Sequence, residues 1–340
     1  MQKAGRVNGR VLLTGAAGFI GAAVCERLRL ESDRPVRLLL HNRTPDPPWP
    51  AGFETVSGDL ARPETLSGVC QGVDTVLHVA AYIGNDQERL EAVNVRGTEA
   101  LVSEARSAGV RSFVYVSSAA IYGYAVHRNA RETDVTADPV TPISRSRVGA
   151  ERAVVDGGGL VLRPLFVYGR GDTRFLPVII RSLERFPFLI NGGRALLSVI
   201  SVDDLAAVLI SLANDRGASP PKGVFHANDG HPVRLRDISG SLADGLGLRR
   251  PRFSLPFFIA RRVLRSSRRT AFPEATGTST KHRLFLVSKD HYYDSTKLWD
   301  LVRPLRPGPP LPVQLPKYAD WYRRFLTPVS TKDGHDPATR

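Results

Sequence analysis

Two cysteines in 340 residues leave no disulfide framework to read. Cys25 and Cys70 fall inside apolar patterns along helices and strand flanks, which suits two buried thiols in a reducing cytoplasm. Long hydrophobic runs are lacking too. No stretch of about 18 uncharged apolar residues occurs, so no membrane-spanning helix is expected. Residues 1–10 are polar and basic, and the apolar run after them is the length of a strand rather than a secretory signal. A soluble, cytoplasmic protein is expected. Lysine is scarce, at positions 3, 222, 281, 289, 297, 317 and 332 alone, so nearly all of the +14 formal charge rests on arginine. Such charge suits nucleic acid, an acidic surface or an anionic ligand. No nucleic-acid motif accompanies it, so no nucleic-acid partner is expected. No His, Cys or carboxylate spacing suggests a metal.

At 42% hydrophobic and 24% charged, the chain has an ordinary globular composition. Its length fits one large α/β domain or two lobes sharing a core. Short apolar runs alternate with helical periodicity. Strands are expected at Val11-Leu12-Leu13, 36–40, 53–56, 75–79, 113–117 and 159–163. Helices are expected over 19–30, 63–70, 87–108 and 205–212. Continuous apolar strands separated by helices imply a Rossmann-like, doubly wound parallel sheet with its ligand at the carboxyl ends of the strands. The division expected is a dinucleotide-binding domain over 7–168 plus 195–228, and a smaller C-terminal α/β substrate-binding lobe over 169–194 plus 229–326. A disordered tail is expected from 327 to 340.

Gly15-Ala16-Ala17-Gly18-Phe19-Ile20-Gly21 follows the first strand and opens the first helix. Gly15 permits a tight turn, Gly18 lets the backbone approach a pyrophosphate, and Gly21 lets helix and strand pack closely. The helix N-terminus then faces phosphates with its partial positive charge. At the end of the second strand stands Leu40-His41-Asn42-Arg43, without the carboxylate that would bind a ribose 2′-hydroxyl. Arg43, with His41, is placed to pair with a 2′-phosphate, so NADP is expected, with NAD as the alternative.

In order along the chain come Gly58-Asp59-Leu60, His78-Val79-Ala80-Ala81, Asn94-Val95-Arg96-Gly97-Thr98, Ser117-Ser118-Ala119-Ala120-Ile121-Tyr122-Gly123, Arg163-Pro164-Leu165-Phe166-Val167-Tyr168-Gly169 and Ser201-Val202-Asp203-Asp204. With the glycine turn, this set resembles the extended short-chain dehydrogenases/reductases of the epimerase/dehydratase type. The C-terminal lobe, ending Tyr318-Ala319-Asp320-Trp321-Tyr322, looks most like the branch of 3β-hydroxysteroid dehydrogenases and dihydroflavonol reductases. The resemblance implies that Asp59 accepts from the adenine amino group, with Leu60 beside the ring. It implies that Ala80 and Ala81 pass close to the cofactor, as do Pro164 and Val167. Asn94 and Asp203 would be structural. Ser118 would hold a substrate oxygen.

The sequence departs from that family at its reacting pair. The family's proton-transferring Tyr falls 25 residues after Ser118, on Ile143, and its Lys falls on Arg147. Pro142 and Gly149-Ala150-Glu151-Arg152 hold the register. Arg147 can bind ribose hydroxyls and offer charge, whereas Ile143 cannot move a proton. Tyr124 and His127, in the substrate-side loop, are the replacements considered first, ahead of Tyr82, Tyr122 and Tyr168. The expectation is an NAD(P)-binding enzyme with a non-standard site, acting on a carbonyl or alcohol of a biosynthetic small molecule such as a secondary-metabolite, sugar-nucleotide or steroid-like intermediate. A non-redox isomerase, cyclase or lyase on the same fold, or a catalytically silent nucleotide-sensing protein, stands as the alternative. The resemblance further implies a homodimer through the helix over 87–108 and the helix beginning near Ile143, with Ala92, Val95, Leu101 and Val102 on the seam. The basic amphipathic stretch beginning at Phe253 and continuing to Arg268-Arg269 could meet an acidic membrane surface, but a solvated helix face over the substrate lobe also accounts for it.

Overall fold

In the computed structural model, which describes residues 9–41, 52–185, 188–215, 217, 220–266 and 280–326, every apolar run of the first half becomes a strand of one sheet. These are β1 (Arg10–Thr14), β2 (Val36–Leu40), β3 (Phe53–Ser57), β4 (Val73–His78) and β5 (Ser112–Val116), followed after β6 (His127–Ala130) by β7 (Leu160–Arg163). With β12 (Gly223–His226) they form a seven-stranded sheet in the order β12-β7-β5-β4-β1-β2-β3, parallel throughout. The order reverses beside β1, and a doubly wound sheet opens its ligand crevice at such a reversal. The sequence reading did not include β12, whose short Gly-Val-Phe-His run is easily taken for a loop.

Successive β1 residues point to opposite faces and bury both. Val11 and Leu13 pack with Val24, Cys25 and Leu28 of α1 (Phe19–Glu31) and with Leu205 and Leu209 of α6 (Val202–Asn214). Leu12 joins the opposite layer, where Leu101, Ala105 and Val154 lie. Cys25 and Cys70 are buried free thiols, both pushed up to about 12, chiefly by burial.

Two expected helices differ. The stretch expected over 63–70 is a single 3-10 turn, Pro63–Leu66, because Gly68 and Gly72 adopt positive φ and break it. The helix expected over 87–108 runs as α2 (Gln87–Leu90), a π-turn over Glu91–Arg96, and α3 (Gly97–Ser107). The wide turn aims Asn94 inward. Its amide accepts from Tyr82 N at 2.8 Å and donates to Tyr82 O and to Ser146 Oγ, each at 3.0 Å. The same helix meets the protein through residues expected on a dimer seam. Leu101 is fully buried, and Val95 and Val102 are buried as well. An apolar seam therefore cannot use those three.

After β7 come β8 (Phe166–Tyr168), α5 (Leu176–Arg185), β9 (Phe188–Ile190), β10 (Leu196–Leu197) and β11 (Val199–Ser201). β13 (Val233–Arg234), α7 (Leu235–Leu246), β14 (Phe253–Leu255), α8 (Phe257–Ser266) and β15 (His291–Tyr293) complete the elements needed here. A second sheet runs β13-β10-β15-β6, and β14 pairs with β9. Among the described residues no helix is long and apolar enough to cross a membrane. Arg43, Arg268, Arg269 and the 327–340 tail lie outside the described residues.

Candidate active site

A cavity of about 1270 Å³ runs along the carboxyl ends of the strands. That exceeds the roughly 300–1,000 Å³ of a single-ligand pocket, which leaves room for a dinucleotide and a second molecule.

At one end the turn after β1 forms the floor. Gly15 has φ +73°, and a Cβ there would stand 2.7 Å from Ala80 N. A Cβ on Gly21 would stand 2.0 Å from the Gly15 carbonyl oxygen. Both glycines are thus demanded by close packing. Gly18 differs, since a Cβ there would meet only the Gly15 oxygen at 3.1 Å, so its outer side is open. Gly18 also starts α1 with no side-chain cap and no acidic residue in the first turn. The free N–H groups and the helix dipole therefore face the cavity, as an anion site requires. These features fit the pyrophosphate of a nicotinamide dinucleotide. Thr14 Oγ1 accepts from Val79 N and Ala80 N, each at 3.2 Å, and shares a 2.7 Å hydrogen bond with His78 Nδ1. That knot fixes the loop carrying Ala80 and Ala81 along the cavity.

Ala17, Phe19, Ile20, His41, Leu60, Ala80, Ala81, Pro164 and Val167 all line this space, as does Asp59. The Asp59 carboxylate already has partners: it accepts from Ala61 N at 2.9 Å and Arg62 Nε at 3.2 Å, and His41 Nε2 lies 3.4 Å away. It shapes its loop first, whatever else it contacts.

Ser118, Ile143 and Arg147 line the same cavity. Ser118 follows the end of β5 and starts a 3-10 turn, its Oγ accepting from Ala120 N at 3.2 Å. Its hydroxyl hydrogen stays available to an acceptor in the cavity. Ile143 and Arg147 lie on α4 (Pro142–Asp156), one turn apart and on one face. Thr141 caps that helix, exchanging hydrogen bonds with Ser144. Arg147 Nη1 donates to Val116 O at 2.8 Å. Across the cleft stands Arg174, pulled below the usual guanidinium range by burial and by the charge of Arg147. Neither arginine has an ion pair among the described residues. Asp172 offsets Arg174 only in part, and its carboxylate forms no ion pair with either arginine but caps α5 through the amides of Arg174, Phe175 and Leu176 at 2.8–2.9 Å. The reacting end is therefore cationic, which favours charge developing on a substrate oxygen.

The two replacement candidates stand elsewhere. His127 Nδ1 bonds the Tyr293 hydroxyl at 3.1 Å, and its ring packs against Tyr122 and His291. Tyr124 packs edge-on against Phe285 at 5.0 Å. Neither lines the cavity. For His127 the reason lies in β6, which pairs with β15 and draws that side chain into the second sheet, while Tyr124, before β6 begins, turns to Phe285. Tyr122 bonds His226, Tyr168 is wholly buried, and Asp203 ties to Lys317 and Tyr318. Tyr82 alone of the five tyrosine and histidine candidates lines the cavity, under the guanidinium of Arg89 at 4.7 Å.

The far wall was not apparent from the sequence. Phe166, Phe175, Val178, Ile179, Leu183, Phe188, Ile190, Leu284 and Leu286 make that end apolar, with Ser182 and Ser239 among them. The signal was present in the helical spacing of Val178, Ile179, Ser182 and Leu183 on α5, beside the fully buried Leu176 and Ile180 of its core side.

Residues 11–226 match the NAD dependent epimerase/dehydratase family. The chain is 31% identical over 284 residues to short-chain dehydrogenase/reductase family 42E member 1 of Mus musculus, covering 73% of this chain and 70% of that protein. It is 27% identical over 296 residues to the 4-hydroxy-2-methyl-3-oxo-4-farnesyl-3,4-dihydroquinoline-1-oxide ketoreductase of Stigmatella aurantiaca, covering 83% and 87%. Among solved structures it is similar to MoeE5 in complex with UDP-glucuronic acid and NAD, with a TM-score of 0.69 and 25% identity over 94% of this chain and 100% of that one.

Proposed function

Because the chain belongs to the NAD dependent epimerase/dehydratase family of short-chain dehydrogenases/reductases, we propose that it is a reductase or dehydrogenase of an apolar carbonyl or alcohol, working without the family tyrosine. A nicotinamide cofactor and an oxidoreductase or epimerase type of chemistry come with the family. The finer assignment is our own. The observation that carries it is one continuous cavity with the glycine turn at one end, Ser118 and Arg147 in the middle, and an apolar wall at the other.

When bound, the cofactor supplies or accepts hydride. The rest is done by side chains. Ser118 donates to the substrate oxygen, and Arg147 adds positive charge as that oxygen becomes an alkoxide. Ile143 contributes shape and no proton, so the alkoxide takes its proton from solvent water, or from Tyr82, the one candidate donor that lines the cavity, which water then reprotonates. The apolar wall selects an alkyl-rich or isoprenoid-like body over a sugar nucleotide, in keeping with the farnesyl group in the name of the Stigmatella relative. NADP is the proposed cofactor, since the end of β2 offers no carboxylate and Arg43 follows it. The dinucleotide half (7–168 plus 195–228), the substrate lobe (169–194 plus 229–326) and a homodimer belong to the same proposal. A monomeric mass in light scattering would remove the last.

The test uses cofactor deuterated at C4 of the nicotinamide ring. Label appearing in the product supports hydride transfer. Turnover without label transfer or absorbance change rejects it and favours the second reading, a non-redox isomerase, cyclase or lyase. Ile143 is the observation behind that second reading. Calorimetry with NADPH and NADH on wild type and Arg43→Ala tests the cofactor, and equal wild-type affinities would sink NADP.

A further inference from the structure

The basic stretch beginning at Phe253, open on sequence to a membrane-facing or a solvated reading, exposes apolar side chains on β14 and α8. Phe253 is 70% exposed, Phe258 71% and Ile259 37%, all within seven residues of chain. Two phenylalanines this bare, so close together, exceed the scattered apolar exposure of an ordinary surface. On α8, Phe258 and Arg262 stand one turn apart on one stripe, and Ala260 points inward, fully buried. Arg249, Arg252 and Arg262 are exposed beside the apolar residues. From Gly245 to Arg262 the chain has no carboxylate at all. Apolar side chains among unopposed arginines match a surface with an acyl layer beneath anionic headgroups. They match a nucleic acid poorly, which offers charge without an apolar layer.

β14 pairs with β9, and Phe188 to Ile190 of β9 line the apolar end of the cavity. Leu255, Phe257 and Ala260 pack with Ile190 and Leu284, which line it too. The exposed patch is the outer side of the substrate wall.

We propose that segment 249–262 docks on an anionic lipid surface, with Phe253, Phe258 and Ile259 entering the interface and Arg249, Arg252 and Arg262 meeting the headgroups. Docking stands on this patch alone. Its use, passing an apolar molecule from the lipid phase into the cavity, rests on the substrate reading above.

The experiment is co-sedimentation of the full chain with vesicles of phosphatidylcholine, with and without one third phosphatidylglycerol. Wild type is expected on the anionic vesicles only, and released in about 1 M salt, where charges are screened beyond about 3 Å. Phe253→Ser/Phe258→Ser, and Phe258→Ser alone, are expected to weaken partitioning about tenfold or more, with NADPH affinity unchanged as the check on folding. Arg252→Glu/Arg262→Glu should act alike. No binding to anionic vesicles, or equal binding by the serine variants, overturns the proposal. So does a dimer that the serine variants convert to monomer, because the face then belongs to a second copy of the chain. None of these readouts depends on turnover, so failure of the reductase reading leaves the docking result intact.

Discussion

Arg147 donates from Nη1 to the carbonyl of Val116 at 2.8 Å, tying α4 to the last residue of β5, two positions before Ser118. A guanidinium makes that bond and keeps further donors for the cavity, which an ammonium on a shorter reach does less well. Arg147→Met should therefore weaken NADPH binding and loosen Ser118 together. Charged hydrogen bonds contribute about 1.5–3 kcal/mol each, or roughly ten- to a hundredfold in affinity. Fluorescence titration with NADPH measures it. Affinity within a factor of two of wild type would remove Arg147 from the cofactor site.

Ser118→Ala should lower kcat by roughly 10²–10³, the cost of one donor to a developing oxyanion, with KM little changed. Ile143→Tyr should leave turnover nearly as it was, because the site works without a proton donor at that position. The double variant Ile143→Tyr/Arg147→Lys discriminates. A rise towards the 10²–10⁴ that acid–base help supplies would show a reductase that has merely lost its acid.

Gly18 and Gly21 separate binding from folding. A Cβ at Gly21 meets backbone at 2.0 and 2.6 Å, so Gly21→Ala must displace β1 or α1. A loss of about 1–3 kcal/mol of stability is expected. Gly18 has φ −89° and open space outward, so Gly18→Ala should fold normally yet fill the pyrophosphate approach. Thermal melts and NADPH titration on both variants check this. Undiminished NADPH affinity in Gly18→Ala would move the phosphates elsewhere.

The sheet and its glycine turn were legible because β1, β2, β4 and β5 are apolar on both faces, and because Gly18 and Gly21 meet Gly15 within the same short turn, whereas the contact that forces Gly15 comes from Ala80 across the sheet. Ser118, Ile143 and Arg147 were legible by spacing along one strand end and one helix. His127 and Tyr124 lie off the cavity because their surroundings are set from more than 150 residues away, by β15 for His127 and by Phe285 for Tyr124, and nothing local to 124–127 announces those contacts. The apolar wall escaped for the same reason. Its residues come from β8, α5, β9 and the 284–287 stretch, and although α5 alone shows an apolar face, nothing local tells that the other three join it.

Protons couple to stability through groups buried in their neutral forms. His78, wedged between Thr14 and Thr98 hydroxyls, is pushed down to about 3 by burial and, further, by Arg147. His226, 2.7 Å from the Tyr122 hydroxyl, is pushed down to about 4 by burial, with Arg163 adding and Glu132 opposing. Burial also lowers His127 and His291. The unfolded chain takes up protons at these histidines near pH 6.5 while the folded one does not. Their contribution is fully present above 6.5 and is lost as pH falls towards 4, at up to about 1.4 kcal/mol per pH unit for each fully shifted group. Asp229 opposes them. Burial raises it to about 7, with Asp204 adding, and its Oδ2 has no hydrogen-bond partner. Folded Asp229 holds a proton that the unfolded chain has released, so it favours the fold as pH falls from 7 towards 3.8. Buried Asp172 is shifted in the same direction. With four histidines against two carboxyls, stability should decline from neutral pH to about 4.5. Asp229→Asn removes one opposing group. It should be more stable than wild type above pH 7, where the buried carboxyl must ionise, and should lose stability about 1.4 kcal/mol per pH unit more steeply between about 4.5 and 6.5. Urea unfolding across that range measures both slopes. Parallel slopes for the variant and wild type would show that Asp229 is ionised in the folded protein, and that its carboxylate has a partner other than a proton.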